Sequence, residues 1–285
     1  MTPTVSAART YLYAPGDRPE RFAKAAASGV DAVVLDLEDG VAPAGKEAAR
    51  LEVGRHDRPD GPEWWVRVDA RTLEKDVAAA VRPGTTGVVV PGAEPTLLAR
   101  VDDLLPAAED RAGLPPGSVQ VIGLLETAHG LDEVAAVARA PRVVRLGLGE
   151  ADLAANLGIS PGAEREELWP ARFAVVLASA AAGLAAPVGP VETRLGDDDV
   201  LRRSTERLVR QGFTGRTLIH PAQVAVVHMA LAPSAEELAS AREIVEVFDR
   251  ADRAGLGAAV TSDGRLVDLA VVRSARRVLA RAGLA

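Results

Sequence analysis

The chain has 285 residues, of which 48% are hydrophobic and 26% are charged, and this composition excludes a disordered protein because so apolar a chain can bury a core. Its length suits about two domains or one large α/β barrel, and its net charge of −7 is spread without a Lys/Arg block, which disfavours nucleic acid as a partner. The absence of cysteine excludes disulfides, thiolate metal sites and cysteine nucleophiles.

Short apolar runs alternate with longer segments of helical period through most of the chain. The runs predicted as strands are Thr10–Ala14, Ala32–Leu37, Trp65–Val68, Gly87–Val90, Gln120–Leu125, Val143–Leu148, Val188–Pro190 and Thr217–Ile219. Helical segments between them include Arg18–Ala27, Glu47–Gly54, Ala93–Ala108 and Asp199–Arg210. Strands that are apolar on both faces and separated by helices indicate a parallel sheet, and eight such units predict a (β/α)8 TIM barrel. A doubly wound sheet is the alternative, but no G-x-G-x-x-G motif follows the first strand.

The pattern changes after the eighth strand unit. Ser234 and Glu237 form a predicted capping box that opens a helix. A glycine-rich break follows, and then Ala259–Thr261 and Arg265–Val267 predict a hairpin around an Asp-Gly turn. A last helix is predicted from about Asp268 to Arg281.

Two domains are therefore expected. Residues 1–230 would form the barrel, and residues 231–285 would form a helical and hairpin extension that packs on the barrel and on a neighbouring subunit. The N-terminal stretch Met1–Arg9 has no apolar core of a signal peptide, and the alanine-rich stretch Ala174–Val188 is too short for a membrane span. A soluble, cytoplasmic protein with no membrane partner is expected.

The chemistry of such a barrel lies in the loops after the carboxyl ends of its strands. The charged residues at those positions are Asp36, Glu38, Asp39, Arg67, Asp69, Glu126, Glu150 and Asp152. Carboxylates at one mouth repel each other unless a cation neutralises them.

Histidines and lysines point away from two other kinds of chemistry. The four histidines are scattered, which disfavours a zinc site, and the three lysines all lie in helix-like stretches, which disfavours a Schiff-base enzyme. Carboxylates holding Mg²⁺ or Mn²⁺ are the expected metal chemistry.

Two carboxylates and one arginine stand out in this set. Glu126 and Asp152 follow adjacent strands and can reach one divalent ion, while Arg67 faces the same mouth and can hold a planar carboxylate. Structural interpretations remain open for other residues, because an acidic residue after a strand is often a helix N-cap. Asp39 and Asp69 fit that description, and His129 and His220 have structural interpretations of equal weight.

Several sequence blocks occur in the order found in one family. The segment Arg9–Arg50 resembles the opening of the citrate lyase beta-subunit family, which includes malyl-CoA and citramalyl-CoA lyases of the HpcH/HpaI aldolase/citrate lyase superfamily. Further similar blocks are VRVDA at Val66–Ala70, GLLETAHGL at Gly123–Leu131, GLGEADLAANLG at Gly147–Gly158, LIHPAQV at Leu218–Val224 and GRLVDLAVV at Gly264–Val272. The chain departs from the family pattern at Gly92, where lysine is common, and at Asp69, where asparagine is common, and both departures leave the choice of substrate open.

The resemblance implies a role for particular residues at the mouth. Glu126 and Asp152 would be the Mg²⁺ ligands, and Arg67 would act catalytically by holding the keto acid. The substrate would also contact Glu126 and the backbone of Gly149, Glu150 and Ala151.

Coenzyme A and a second subunit complete the implied site. Tyr13, Arg18 and Lys24 would lie along the CoA path. Asp268 would be the general acid or base, contributed by a neighbouring subunit of a homo-oligomer, either a trimer or a hexamer. From the residues alone, Asp268 also suits the N-cap of the last helix.

The implied function is a carbon–carbon lyase that splits a 3-hydroxyacyl-CoA thioester into an acyl-CoA and a keto acid such as glyoxylate, pyruvate or oxaloacetate. Two alternatives stay open at this point. One is the beta subunit of a multienzyme citrate lyase, whose acyl group is carried by a protein. The other is a non-catalytic barrel that binds acyl-CoA.

Overall fold

The structure, a computed structural model, describes residues 8–284. Residues 1–7, for which no targeting segment is predicted, lie outside the described residues. The chain divides into two compact units, with the division between His228 and Met229. In the described range no helix has the length and apolar character needed to cross a bilayer.

Eight parallel strands close into a barrel in chain order, and the last strand pairs with the first. They are β1 Thr10–Pro15, β2 Ala32–Asp36, β3 Glu63–Arg67, β4 Gly87–Val90, β5 Gln120–Leu125, β6 Val143–Leu148, β7 Val188–Gly189 and β8 Gly215–Leu218. The TIM-barrel prediction is therefore confirmed. The predicted strands began two residues late at β3 and β8. The structure starts β3 at Glu63 and β8 at Gly215, which is followed by Arg216, and these three residues do not extend an apolar run.

Helices separate the strands and continue into the second unit. They are α1 Glu20–Ala26, α2 Lys46–Arg55, α3 Leu73–Ala80, α4 Pro95–Ala112, α5 Ala128–Asp132, α6 Val134–Val137, α7 Glu150–Leu157, α8 Trp169–Ala181, α9 Asp198–Arg210, α10 Gln223–Leu231, α11 Ala235–Arg253 and α12 Leu269–Arg281. Local chemistry fixes several of their ends. Pro95 occupies the first turn of α4, where its missing N–H costs nothing, and Gly113 ends that helix at a φ of 66°.

The barrel interior is filled by alternate residues of the strands. Tyr11, Val34, Trp65, Ile122 and Leu124 belong to one buried apolar cluster. Side chains in a strand point alternately to its two faces, so the residues two positions beyond Val34 and Trp65 also point inward. This alternation brings a carboxylate at the end of β2 and a guanidinium at the end of β3 to the same end of the barrel.

The amino end of the barrel is closed by a buried arginine. Arg145, in β6, is 2% exposed and donates hydrogen bonds to the carbonyls of Ala8 and Ala186 and to the hydroxyls of Tyr11 and Thr214. All four acceptors are neutral. This end of the barrel is a packed and hydrogen-bonded floor, so the opposite end is the one available for chemistry.

In the second unit, α11 and α12 pack together around Ala241, Ala275 and Leu279. The predicted capping box is confirmed, because Ser234 Oγ accepts from the N–H of Glu237 and the Glu237 carboxylate accepts from the N–H of Ser234. The predicted hairpin is confirmed as two short antiparallel strands, β9 Ala259–Val260 and β10 Leu266–Val267.

Candidate active site

A fixed guanidinium lies at the carboxyl end of the barrel. Asp36 and Arg67 are direct partners in the register of β2 and β3. Arg67 Nε lies 2.7 Å from Asp36 Oδ1 and Arg67 Nη2 lies 2.6 Å from Asp36 Oδ2, which is a bidentate pair. Arg67 Nη1 lies 2.7 Å from Glu38 Oε2, and the ring of Tyr13 lies 4.8 Å from Arg67 Cζ. The guanidinium is thus held in one orientation, and its Nη groups retain further N–H donors for a ligand.

Burial changes the proton affinity of the neighbouring acids. Burial raises the pKa of the Tyr13 phenol to about 12, although the Arg67 charge opposes the change. Burial likewise raises the pKa of Glu38, again against the influence of Arg67. Tyr13 therefore keeps its proton at neutral pH and can donate a hydrogen bond.

Glu126 follows β5 and lies against two glycine backbones. The backbone N–H of Gly92, which has a φ of 56°, donates to the Glu126 carboxylate. A Cβ added at Gly149 would lie 2.9 Å from both Cβ and Oε2 of Glu126, so this close approach requires glycine. Burial, together with the charges of Glu38 and Asp152, raises the pKa of Glu126 to about 7. The crowded carboxylates therefore raise the free energy of the charged form of Glu126, and a cation would lower it.

The helix α7 brings Asp152 and a set of backbone donors to the same mouth. Its first intrahelical hydrogen bond runs from Leu153 N–H to the carbonyl of Gly149. The N–H groups of Glu150, Ala151 and Asp152 precede that bond and are available to an anion. The Glu150 side chain points elsewhere, because it is buried in ion pairs with Arg172 and Arg165, at 2.5 and 3.0 Å.

Two carboxylates are the metal-ligand set that the mouth offers. Within the described part of the chain no three or more His, Asp and Glu side chains are grouped to hold a metal ion. The two carboxylates of Glu126 and Asp152 suit Mg²⁺, which commonly binds one or two protein carboxylates and fills its other coordination positions with water and substrate oxygens.

A cavity of about 560 Å³ opens beside this mouth. Its lining includes Tyr13, Lys24, Arg67 and His220, and it also includes Arg21, which the sequence analysis did not select. Arg21 lies three residues before Lys24 on the predicted helix. Residues at this i,i+3 spacing lie on the same helix face, so the spacing could have identified Arg21 as a second residue of the cavity. Arg18 lies outside this lining; its side chain is 59% exposed and its Nε is 3.9 Å from Asp17.

Three other residues selected from the sequence, Asp69, His129 and Asp268, make ion pairs or helix-cap hydrogen bonds within the chain. Asp69 accepts from Arg71 N–H at 2.9 Å and lies 3.1 Å from Lys46 Nζ, so its N-cap interpretation is confirmed, and these partners hold the pKa of its carboxyl well below its usual range. His129 is exposed between Glu94 and Glu133. Asp268 caps α12, and its Oδ1 accepts from the N–H groups of Ala270 and Val271 at 2.9 and 3.0 Å. Its catalytic role in a second subunit stays a prediction.

The profile of the HpcH/HpaI aldolase/citrate lyase family matches residues 9–221. The chain belongs to this family. A citrate lyase subunit beta-like protein of Mycobacterium tuberculosis is 37% identical over 282 residues, covering 96% of this chain and 95% of that protein. An L-malyl-CoA/beta-methylmalyl-CoA lyase of Cereibacter sphaeroides is 32% identical over 310 residues, covering 96% of this chain and 94% of that enzyme.

A solved structure matches the whole fold. The crystal structure of CitE from M. tuberculosis in complex with magnesium, acetoacetate and coenzyme A is 35% identical, with a TM-score of 0.80, and the match covers 98% of this chain and 100% of that one. The predicted family resemblance is confirmed, and with it the class of carbon–carbon lyase.

Proposed function

We propose that the protein is a Mg²⁺-dependent lyase that cleaves a 3-hydroxyacyl-CoA thioester into an acyl-CoA and a keto acid, or joins them in the reverse direction. The observation that carries the proposal is the pairing of opposite charges at one mouth. A guanidinium fixed by Asp36 lies beside Glu126, whose pKa is raised by burial and by the nearby carboxylates of Glu38 and Asp152. A keto acid bound to a divalent cation presents the complementary pattern, an anionic carboxylate next to a positive ion.

Glu126 and Asp152 would hold the metal. The fit rests on the chemistry of the mouth, because both residues offer oxygen donors. A cation would also stabilise the charged form of Glu126, which burial and the neighbouring carboxylates destabilise. Mg²⁺, or Mn²⁺ in its place, supplies positive charge that polarises the carbonyl of the keto acid.

The chain would bind the keto acid with two groups of donors. Arg67 presents its free Nη donors to the carboxylate or carbonyl, and the N–H groups of Glu150 and Ala151 at the start of α7 offer a second contact. The N–H of Gly149 is used within the barrel, because it donates to the carbonyl of Leu125 at 2.8 Å. Because Asp36 and Glu38 already fix the guanidinium, little side-chain entropy is lost when the ligand binds. Glyoxylate, pyruvate and oxaloacetate all carry the required carboxylate beside a carbonyl.

The cavity beside the mouth would receive CoA. Tyr13 contributes a neutral phenol at its inner end, and Lys24 contributes a positive charge on exposed surface, where it can meet a phosphate. Arg21 adds a second positive charge to the same lining. Arg18 would act from solvent at the edge of this path.

Asp268 would be the proton donor or acceptor, contributed by a neighbouring subunit. Its Oδ1 makes both cap hydrogen bonds, and its Oδ2 has no hydrogen-bond partner within residues 8–284.

An exposed apolar stripe on α8 suits a contact with a second copy of the chain. It is formed at helical spacing by Trp169, Phe173 and Leu177. We therefore retain a homo-oligomer, either a trimer or a hexamer, as part of this proposal. Residues 231–285 would pack on a neighbouring subunit in it. A cytoplasmic location is also part of the proposal.

The test is a turnover screen with malyl-, methylmalyl-, citramalyl- and citryl-CoA in the presence of Mg²⁺, measuring free CoA and keto acid separately. Activity should be lost in Glu126→Gln and in Asp152→Asn and retained in Glu133→Gln, an exposed glutamate beyond the same strand. Turnover only with an acylated carrier protein would instead support the citrate lyase beta subunit. Tight CoA binding without turnover of any substrate would support a non-catalytic barrel.

A further inference from the structure

A second cavity, of about 460 Å³, lies in the barrel unit beside α8 and α9. Its lining combines six arginines with three glutamates, an excess of three positive charges. The arginines are Arg165, Arg172, Arg194, Arg203, Arg207 and Arg216, and the glutamates are Glu150, Glu164 and Glu192. The glutamates neutralise part of this positive charge, and the remaining excess of guanidinium groups favours the entry of an anion.

Two of these arginines are held rigidly by buried partners. Arg172 Nε lies 2.5 Å from Glu150 Oε1 and its Nη1 lies 3.1 Å from Gln211 Oε1. Arg216 is buried in β8 and donates from Nε and Nη1 to the carbonyl of Pro190 and the hydroxyl of Ser204, at 3.1 and 2.8 Å. These contacts hold both guanidinium groups at the wall before any ligand binds.

Arg216 also has an unused donor at this wall. Its Nη2 lies 3.8 Å from Glu192 Oε2, beyond hydrogen-bond distance, and no other residue in the described range accepts from it. Burial lowers the pKa of Arg216 to about 10, so the group is still charged at neutral pH. A buried, charged donor with a free N–H is a strong hydrogen-bond donor for an anion.

The open side of the cavity carries the uncompensated charge. Arg203 and Arg207 lie one turn apart on α9 and face the same space. Arg207 pairs with Glu164, whereas Arg203 is exposed and has no ion pair with any residue of the described range. An anion that enters from solvent would meet Arg203 first and Arg216 last.

We propose that this cavity binds a compact polyanion with two or three negative charges carried on phosphate or carboxylate groups. The planar forks of arginine match both kinds of group, and the excess of positive charge in the lining favours a ligand with more than one negative charge, even though Arg194 also lies 3.9 Å from Asp197 outside the lining. The site is separate from the cavity at the barrel mouth. Val191 lines the mouth cavity, while Pro190 and Glu192 line this one, so a single segment after β7 forms the wall between them.

Isothermal titration calorimetry with inorganic pyrophosphate and, separately, with citrate tests the proposal. Metal is removed from the protein beforehand and the chelator, itself a compact polycarboxylate, is then dialysed away, so that binding does not depend on the proposed lyase chemistry. One site per chain is expected for the ligand that binds, and comparison of the two titrations decides between phosphate and carboxylate chemistry. Arg203→Gln and Arg207→Gln should each weaken binding about tenfold or more, as expected for loss of a charge-assisted hydrogen bond.

Two matched variants serve as controls. Arg202→Gln removes a neighbouring charge on α9 that pairs with Asp199 and Glu206, and Lys24→Gln removes a charge from the mouth cavity. Both should bind the polyanion like the unmodified protein. Equal weakening in Arg202→Gln, loss of binding in Lys24→Gln, or no binding of either ligand at millimolar concentration would each overturn the proposal.

Discussion

Replacing Glu126 by glutamine should stabilise the metal-free protein at alkaline pH. The folded-state pKa of Glu126 is raised from its ordinary 4.5 to about 7, so the folded protein holds this proton more tightly than the unfolded chain does. The free energy of unfolding therefore contains a contribution that is fully present below about pH 4.5 and is lost as the pH rises through about 7. Glutamine carries no such charge, so the variant should gain stability relative to the parent over this interval.

The size of the gain follows from the shift. A difference of roughly 2.5 pKa units at about 1.36 kcal/mol each sets an upper limit of about 3.4 kcal/mol. Glu126 is only half-buried, and solvent screening reduces the expected gain to about 1–2 kcal/mol.

Urea unfolding in EDTA at pH 5 and pH 8 measures this gain. Glu133→Gln is the control for removing a surface carboxylate. Added Mg²⁺ should raise the melting temperature of the parent protein and leave that of Glu126→Gln unchanged. The same stability difference at both pH values would refute the reasoning, because it would mean that the carboxylate is not destabilised by its surroundings.

Other variants test the rest of the mouth. Arg67→Lys should raise the KM for the keto acid about tenfold or more, because lysine cannot form the bidentate fork, and unchanged kinetics would make Arg67 purely structural. Lys24→Gln and Arg21→Gln should each weaken CoA binding in calorimetry, most strongly at low salt, since the expected contacts are exposed phosphates; a loss that does not depend on salt would contradict this. Asp268→Asn should keep the stability of α12, which Asp268→Ala should lower by about 1 kcal/mol, yet both should lose roughly 10²–10⁴ in rate. An active Asn variant would leave Asp268 as a cap alone.

The sequence was most informative about the order of strands and helices and about which residues follow the end of a strand. Eight apolar runs separated by helical segments predicted the barrel, and the place of Arg67 near the carboxyl end of the third run put it at the mouth. The predicted cap at Asp69 followed from local hydrogen-bonding chemistry that needs only two neighbouring residues. Each of these features depends on residues close together in the chain.

Features that depend on packing between distant segments were missed. Arg203 and Arg207 on α9 have the pattern of an ordinary solvated helix face, and nothing in that pattern reveals Arg216 behind them. Glu150 follows a strand like the other mouth carboxylates, but its side chain turns to Arg172, which comes from a helix 22 residues later. Such pairings exist only after the chain has folded.

The buried floor of the barrel has a consequence for how the protein responds to acidity. Arg145 is held by carbonyl and hydroxyl oxygens, and none of these acceptors gains or loses a proton near neutral pH. The floor therefore stays closed while Glu126, at the other end, changes its charge state. The hydrogen bonds around Arg145 are thus independent of the charge at the mouth, so substitutions that change that charge leave these contacts of the scaffold in place.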